Sequence, residues 1–161
     1  MGRQQIWKTN RAGSEVRAQD IQQITEGLLM YLLDTDIIIY ALKGDETVKK
    51  NLQDRLQDPI SISAITLMEL YYGAYKSKKV AANLAKVRMI EDSFDIVSTG
   101  RESAETFGNL KASLEVSGTR LDDFDLAIAA CALAHNLTLV TNNTKHFRRI
   151  QGLKMANWIH R

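Results

Sequence analysis

"LLDTDIII", residues 32–39, decides how this chain is read. Five of its eight residues are apolar (Leu32, Leu33, Ile37, Ile38 and Ile39), yet Asp34 and Asp36 interrupt them. On a continuing strand, residues two apart share a face, so both carboxylates would point the same way. Buried like charges are costly, and a fold tolerates them where a counter-charge, often a metal ion, is expected. The reading turns on which other acids the chain brings to the end of that strand.

From Met30 onward, short apolar runs alternate with helical stretches. "MYLLD" reads as a buried strand, and "TDIIIYALKG" as a turn into a short helix stopped by Gly44. In "DETVKKNLQDRLQD" the four-residue spacing of Val48, Leu52 and Leu56 predicts an amphipathic helix. "PISIS" opens a second strand after the single proline, Pro59. "AITLMELYYGAYKS" and "KVAANLAKVRMIEDS" read as helices, and "FDIVS" as a third strand. "RESAETFGNLKASLEVSG" is a helix ended by Gly118. "FDLAIAACALAHN" is an alanine-rich helix, "TLVT" a fourth strand, and "LKMANW" a possible edge strand. Strands alternating with helices predict an α/β fold of three layers, with a central parallel sheet of four to five strands flanked by helices. Sites in such sheets form at the carboxyl ends of strands. Asp34 lies there on the first strand, and residues 141–143 lie there on the fourth.

Composition bounds the function. A chain of 161 residues, 45% hydrophobic and 25% charged, fits one soluble domain with a proper core. A single cysteine, Cys131, excludes an internal disulfide and fits a reducing compartment. The longest apolar run, 126–134, falls far short of the roughly 20 residues of a membrane span. With no secretory pattern visible, a cytoplasmic protein without a membrane role is expected. The first 29 residues are polar and glutamine-rich, with weak periodicity at Ile21, Ile24 and Leu28. They read as an N-terminal extension or an upstream start, with the domain proper spanning 30–161. Net charge is only +2. Lys76, Lys78 and Lys79 cluster, as do Lys145, Arg148 and Arg149 around His146. Such patches solvate a surface, or track a phosphate backbone where they flank an acidic centre.

Three further residues are candidates for that centre. Glu69 follows the second strand, although Thr66-x-x-Glu69 also fits a capping box. Asp125 sits in the first turn of the alanine-rich helix, where the dipole favours an acid and Asp122 fits as N-cap. Asn143 follows the fourth strand, where a turn residue is expected in any case. Together they place carboxylates at strand ends and a nearby helix start, a plausible Mg²⁺ cage. His135 and His146 read as surface or core histidines rather than as general bases.

"LLDTDIIIYALKG", "ISISAITLMELYYG" and "LDDFDLAIAACALAHNLTLVTNNTKHFRRIQGLKMANW" resemble, in order and spacing, the blocks of the PIN domain. More narrowly, they resemble the VapC toxins of type II toxin–antitoxin pairs. The resemblance runs from about Met30 to the C-terminus. It places the family's first, second and third acids on Asp34, Glu69 and Asp125. The fourth position, an acid in many members, falls on Asn143, a neutral amide that ligates without adding charge and leaves a second strongly held metal open. Asp36 stands where the family often has Asn, so its role is secondary.

The resemblance implies an Mg²⁺-dependent endoribonuclease, with Mn²⁺ able to substitute. Asp34, Glu69 and Asp125 would hold the metal, and cleavage would leave 5′-phosphate and 3′-hydroxyl ends. It also implies a VapB-like antitoxin partner and a homodimer. The chemistry agrees: carboxylates are hard ligands suited to Mg²⁺ or Mn²⁺, and no Cys/His cluster is present for zinc. Lys76, Lys78, Arg148 and Arg149 are candidate phosphate contacts. Two competitors remain open. "LLDTDIII" also reads as the Asp-x-Asp of a haloacid-dehalogenase-type phosphohydrolase, with Asp34 as nucleophile and Asp36 as general acid. A PIN scaffold that only binds RNA or a partner protein is the non-enzymatic alternative.

Overall fold

The computed structural model describes residues 30–159. Its strands are β1 (Tyr31–Leu33), β2 (Ile60–Ser63), β3 (Asp95–Val97), β4 (Thr138–Val140) and β5 (Met155–Ala156). Its helices are α1 (Thr35–Lys43), α2 (Glu46–Asp54), α3 (Ala64–Lys76), α4 (Val80–Ser93), α5 (Arg101–Val116), α6 (Asp123–Ala134) and the single turn α7 (Thr144–Phe147), numbered here among the described residues.

Every strand pair is parallel, in the order β3-β2-β1-β4-β5. The expected edge strand exists, so among the described residues the sheet has five strands. β1 is central, and its alternation divides the core in two. Tyr31 and Leu33 pack under α1 to α4 with Ile37, Ile38, Val48, Leu70, Val87 and Ile90. Leu32 faces the other way, onto α5 and α6 with Leu114, Leu126, Ile128 and Phe147. β4 repeats the pattern, Val140 to the first core and Leu139 to the second. Both faces are therefore covered, as a parallel sheet requires. Fully burying one such leucine stabilises the fold by about 1.5–3 kcal/mol. Three wholly buried alanines on α6 (Ala129, Ala130 and Ala132) let that helix lie close to its neighbours.

Local signals set the element ends. Asp34 caps α1, its side chain accepting from Thr35 N, so the strand stops at Leu33 and the helix begins one residue later. Asp36 consequently sits in the first turn of α1 rather than on a continuing strand. Gly44 ends α1 at φ +88°, its N–H reaching the carbonyls of Ala41 and Tyr40, a conformation that costs other residues a steric clash. Gly118, at φ +68°, follows the end of α5 as expected. Tyr31 and Trp158 meet edge to face at 5.2 Å, with the Arg55 guanidinium over both rings, which ties residue 158 back to β1.

Winding runs from β1 to β2 and β3 on one side, then returns to β4 and β5 on the other. Between β1 and β4 lies the switch point, where a crevice opens beyond the carboxyl ends of the strands.

Candidate active site

Asp34 stands in that crevice, 5% exposed. Its Oδ1 accepts from Thr35 N at 2.7 Å, and its Oδ2 from the Thr141 hydroxyl at 2.7 Å. The second bond bridges the ends of β1 and β4. Burial, reinforced by the Asp36 charge, pushes the Asp34 carboxyl up to about 7, although the Thr141 and Thr35 bonds pull against the rise. Asp36 is raised mainly by burial; its Oδ2 accepts from Asn142 N at 3.0 Å. Its Oδ1 is a buried oxygen without a hydrogen-bond partner.

Glu69 reaches the same crevice from α3 and accepts a hydrogen bond from the Thr35 hydroxyl. The capping-box alternative fails here. Ser63 caps α3 and accepts from Thr66 N at 2.9 Å, while Thr66 is fully buried, so Glu69 is free to face Thr35. Burial raises Glu69 as well, with Asp125 and Asp122 adding repulsion. Asp125 projects from the first turn of α6, whose N-cap is Asp122, as its sequence position predicts. Burial raises it, offset by hydrogen bonding to His146.

Asn143 precedes α7. Its side chain does not cap that helix but lies 2.7 Å from His146 Nδ1, and its N–H donates to the Thr141 hydroxyl at 3.0 Å. His146 Nδ1 is 3.6 Å from Asp125 Oδ2. The histidines thus part company. His135 sits exposed at the C-terminal end of α6, the end opposite Asp125, while His146 stands beside the acids. Sequence reasoning also missed the threonine hydroxyls of Thr35 and Thr141, which orient Glu69 and Asp34.

Among the described residues, no Lys or Arg pairs with Asp34, Asp36, Glu69 or Asp125. Lys111 is taken up by Asp123 at 2.8 Å, and Arg149 donates to the Arg120 carbonyl. Burial is the largest cause of the rise in all four carboxylates, and no lysine or arginine among the described residues offsets it. Nor, among the described residues, do three of these side chains already form a finished metal cage. The donor set nonetheless fits a hard divalent ion: carboxylate oxygens, uncompensated negative charge and the orphaned Asp36 Oδ1. Beside Glu69 runs an apolar groove of about 270 Å³ lined by Ile39, Leu42, Leu70, Gly73, Ala74 and Val87.

A doubly wound parallel sheet with carboxylates gathered at its switch point defines an α/β protein with an acidic centre in that crevice. Residues 31–153 match the PIN domain, and the chain belongs to the PIN-domain family, in its VapC branch. It is 39% identical to Ribonuclease VapC2 of Rickettsia felis over 132 residues, covering 81% of this chain and 98% of that protein. To the tRNA(fMet)-specific endonuclease VapC of Shigella flexneri it is 34% identical over 131 residues, covering 81% and 99%. Its fold is similar to the VapBC2 structure of Rickettsia felis bound to a promoter DNA fragment, with TM-score 0.76, 38% identity and 81% and 99% coverage. DNA-bound VapBC from Salmonella typhimurium gives TM-score 0.77 at 33% identity, again covering 81% and 99%. No described helix is long and apolar enough to cross a membrane.

Proposed function

We propose that this chain is a divalent-metal-dependent endoribonuclease and the toxin of a toxin–antitoxin pair acting in the cytoplasm. The observation that carries the reading is the switch-point crevice, where Asp34, Asp36, Glu69 and Asp125 are all raised and, among the described residues, none is met by a lysine or arginine. Asp34, Glu69 and Asp125 would hold Mg²⁺, or Mn²⁺ in its place. When bound, the ion supplies a water of lowered pKa and neutralises charge developing on the scissile phosphate. The chain's own work is positional. Thr141 fixes Asp34 across the β1–β4 gap, and Thr35 holds Glu69 toward it. Asn143 contributes an uncharged amide at the rim. No side chain needs to act as nucleophile, and the family resemblance implies cleavage that leaves 5′-phosphate and 3′-hydroxyl ends.

RNA is the substrate this reading favours, in keeping with the ribonuclease and tRNA-endonuclease names of relatives. Lys76, Lys78, Arg148 and Arg149 are candidate backbone contacts outside the acids. Structural neighbours named as VapBC complexes support a VapB-like antitoxin partner, and a homodimer completes the proposed assembly. An antitoxin segment laid in the apolar groove would run up to Glu69 and cover the crevice. Glu69, engaged with Thr35, has a place here that a phosphohydrolase built on Asp34 and Asp36 would leave without a role.

The test is cleavage of a total RNA pool with Mg²⁺ and with EDTA, for wild type and Asp34→Asn. Wild type should cut only with metal, and Asp34→Asn should lose most of the activity while remaining folded. Cleavage by the variant at the wild-type rate overturns the assignment.

A further inference from the structure

We propose that the cavity between α5 and the start of α6 is a recognition pocket for a guanine base of the RNA, close to the cut. The inference rests on the ribonuclease reading above and gives that reaction a sequence preference.

The cavity measures about 210 Å³. That is below the roughly 300–1,000 Å³ of pockets for drug-sized ligands and suits one flat heterocycle. Leu114, Leu121 and Leu126 give it apolar walls for the faces of a ring. Lys111, Glu115, Arg120 and Asp123 supply its polar edge. Two of these four are committed to each other: Lys111 Nζ donates to both Asp123 oxygens, at 2.8 and 2.9 Å, a bridge that ties α5 to α6. Glu115 and Arg120 are exposed, and among the described residues neither side chain makes a hydrogen bond or an ion pair. The cavity thus keeps one free acceptor group and one free donor group. Both are set in place through the backbone. At the end of α5, Gly118 N–H donates to the Glu115 carbonyl at 3.1 Å and Thr119 N–H to the Leu114 carbonyl at 2.9 Å, folding the loop back on the helix. Arg149 then holds the Arg120 carbonyl at 3.2 Å.

Base chemistry decides the occupant. A free carboxylate accepts two hydrogen bonds side by side, and a guanidinium donates two. Guanine meets both, with N1–H and N2–H donors on one edge and O6 and N7 acceptors beside them. Adenine, cytosine and uracil each lack that adjacent pair of donors. The location fits as well. Asp123 and Leu126 bracket Asp125 in the first turn of α6, so the cavity and the acidic crevice flank one turn of helix. A helix is about 10–12 Å across with its side chains, a width that an RNA strand crosses within a few nucleotides. A phosphate at Asp125 therefore leaves a nearby base within reach of Glu115 and Arg120.

The experiment uses the full chain with Mg²⁺ and a single-stranded RNA pool of randomised sequence, the cut sites being read by sequencing. Wild type, Glu115→Gln and Arg120→Met are compared. Each is then given an oligonucleotide with guanine at the preferred position and one with inosine there, which lacks the 2-amino group. Wild type should favour guanine at one fixed position near the cut by roughly tenfold over the other bases. On inosine it should lose most of that advantage. Glu115→Gln should no longer favour guanine over inosine, and Arg120→Met should lose the positional preference too. Both side chains are exposed, so thermal melts should be unchanged and separate lost recognition from misfolding. Three results overturn this inference and leave the ribonuclease reading standing: no guanine preference in wild type, a wild type indifferent to inosine, or a preference that survives in either variant. If wild type cuts no RNA with Mg²⁺, the functional reading and this inference fall together.

Discussion

Replacing Asp34 by Asn should make the metal-free protein more stable at alkaline pH and less stable in acid. In the fold, burial holds this carboxyl at about 7 against an ordinary 3.8. Between those values the folded chain keeps a proton that the unfolded chain has released. Wild-type stability therefore falls as pH rises from about 4 to about 7 and levels off above. At 1.36 kcal/mol for each tenfold, that interval amounts to about 4 kcal/mol. The asparagine carries no charge, so it escapes this penalty. It keeps the bond from Thr35 N, but turns an NH₂ toward the Thr141 hydroxyl and leaves that hydroxyl's proton without its acceptor, a cost of about 1 kcal/mol. The variant should gain about 2–3 kcal/mol at about pH 8 and lose about 1 kcal/mol at about pH 4. Urea unfolding in EDTA at the two pH values measures both numbers. Adding Mg²⁺ should then stabilise wild type by about 2.7 kcal/mol at a hundredfold excess over Kd, and the variant much less. A variant that is destabilised equally at both pH values would show that Asp34 is a structural cap, and that its burial strain is not real.

Three other perturbations separate parts of the same picture. Thr141→Val removes the donor to Asp34 Oδ2 and the acceptor for Asn143 N, so urea unfolding at neutral pH should show a loss of about 2–3 kcal/mol, steepening as pH rises. Gly44→Ala meets no close atom, only the flexible Lys49 Nζ at 3.6 Å, so its thermal melt should reflect the φ of +88° alone, a loss of about 1–2 kcal/mol. A chain beginning at Met30 should fold and cut RNA like the full protein, since the Met30 carbonyl already takes its place in the ladder by accepting from Thr138 N at 2.8 Å; aggregation or inactivity of that chain would make residues 1–29 integral.

Long, periodic segments were legible in the sequence because their burial pattern repeats along the chain. Val48 and Leu52 bury the face of α2 that their spacing predicts, although Leu56 falls beyond the helix and is exposed. Asp34 and Glu69 come near each other because one ends β1 and the other lies on the helix after β2, while Asp125 joins them from the first turn of α6. The proposed extension at residues 1–29, with its weak periodicity at Ile21, Ile24 and Leu28, lies outside the described residues. What stayed hidden is what depends on contacts distant in sequence. The Thr141–Asp34 bond joins residues 107 apart, and Thr35–Glu69 joins residues 34 apart, so no local pattern announces either. α7 is four residues long, too short to show a period, and His146 owes its position to Phe147 behind it. The capping-box reading of Thr66 and Glu69 misled for a related reason: Ser63, one residue before α3, already does the capping.

The neighbouring position of β1 and β4 has a consequence during synthesis. As the chain leaves the ribosome, Asp34 and Glu69 appear early, but Thr141 and α7 follow only after the whole of the β2–β3 wing and the alanine-rich helix. Until β4 slots in beside β1, Asp34 lacks its hydroxyl donor and the crevice has only one wall. Such long-range closure comes late and cooperatively in folding. A partly made chain therefore carries the acids without the pocket, and an enzyme proposed to cut its own cell's RNA stays inert until translation of its last strands is nearly done.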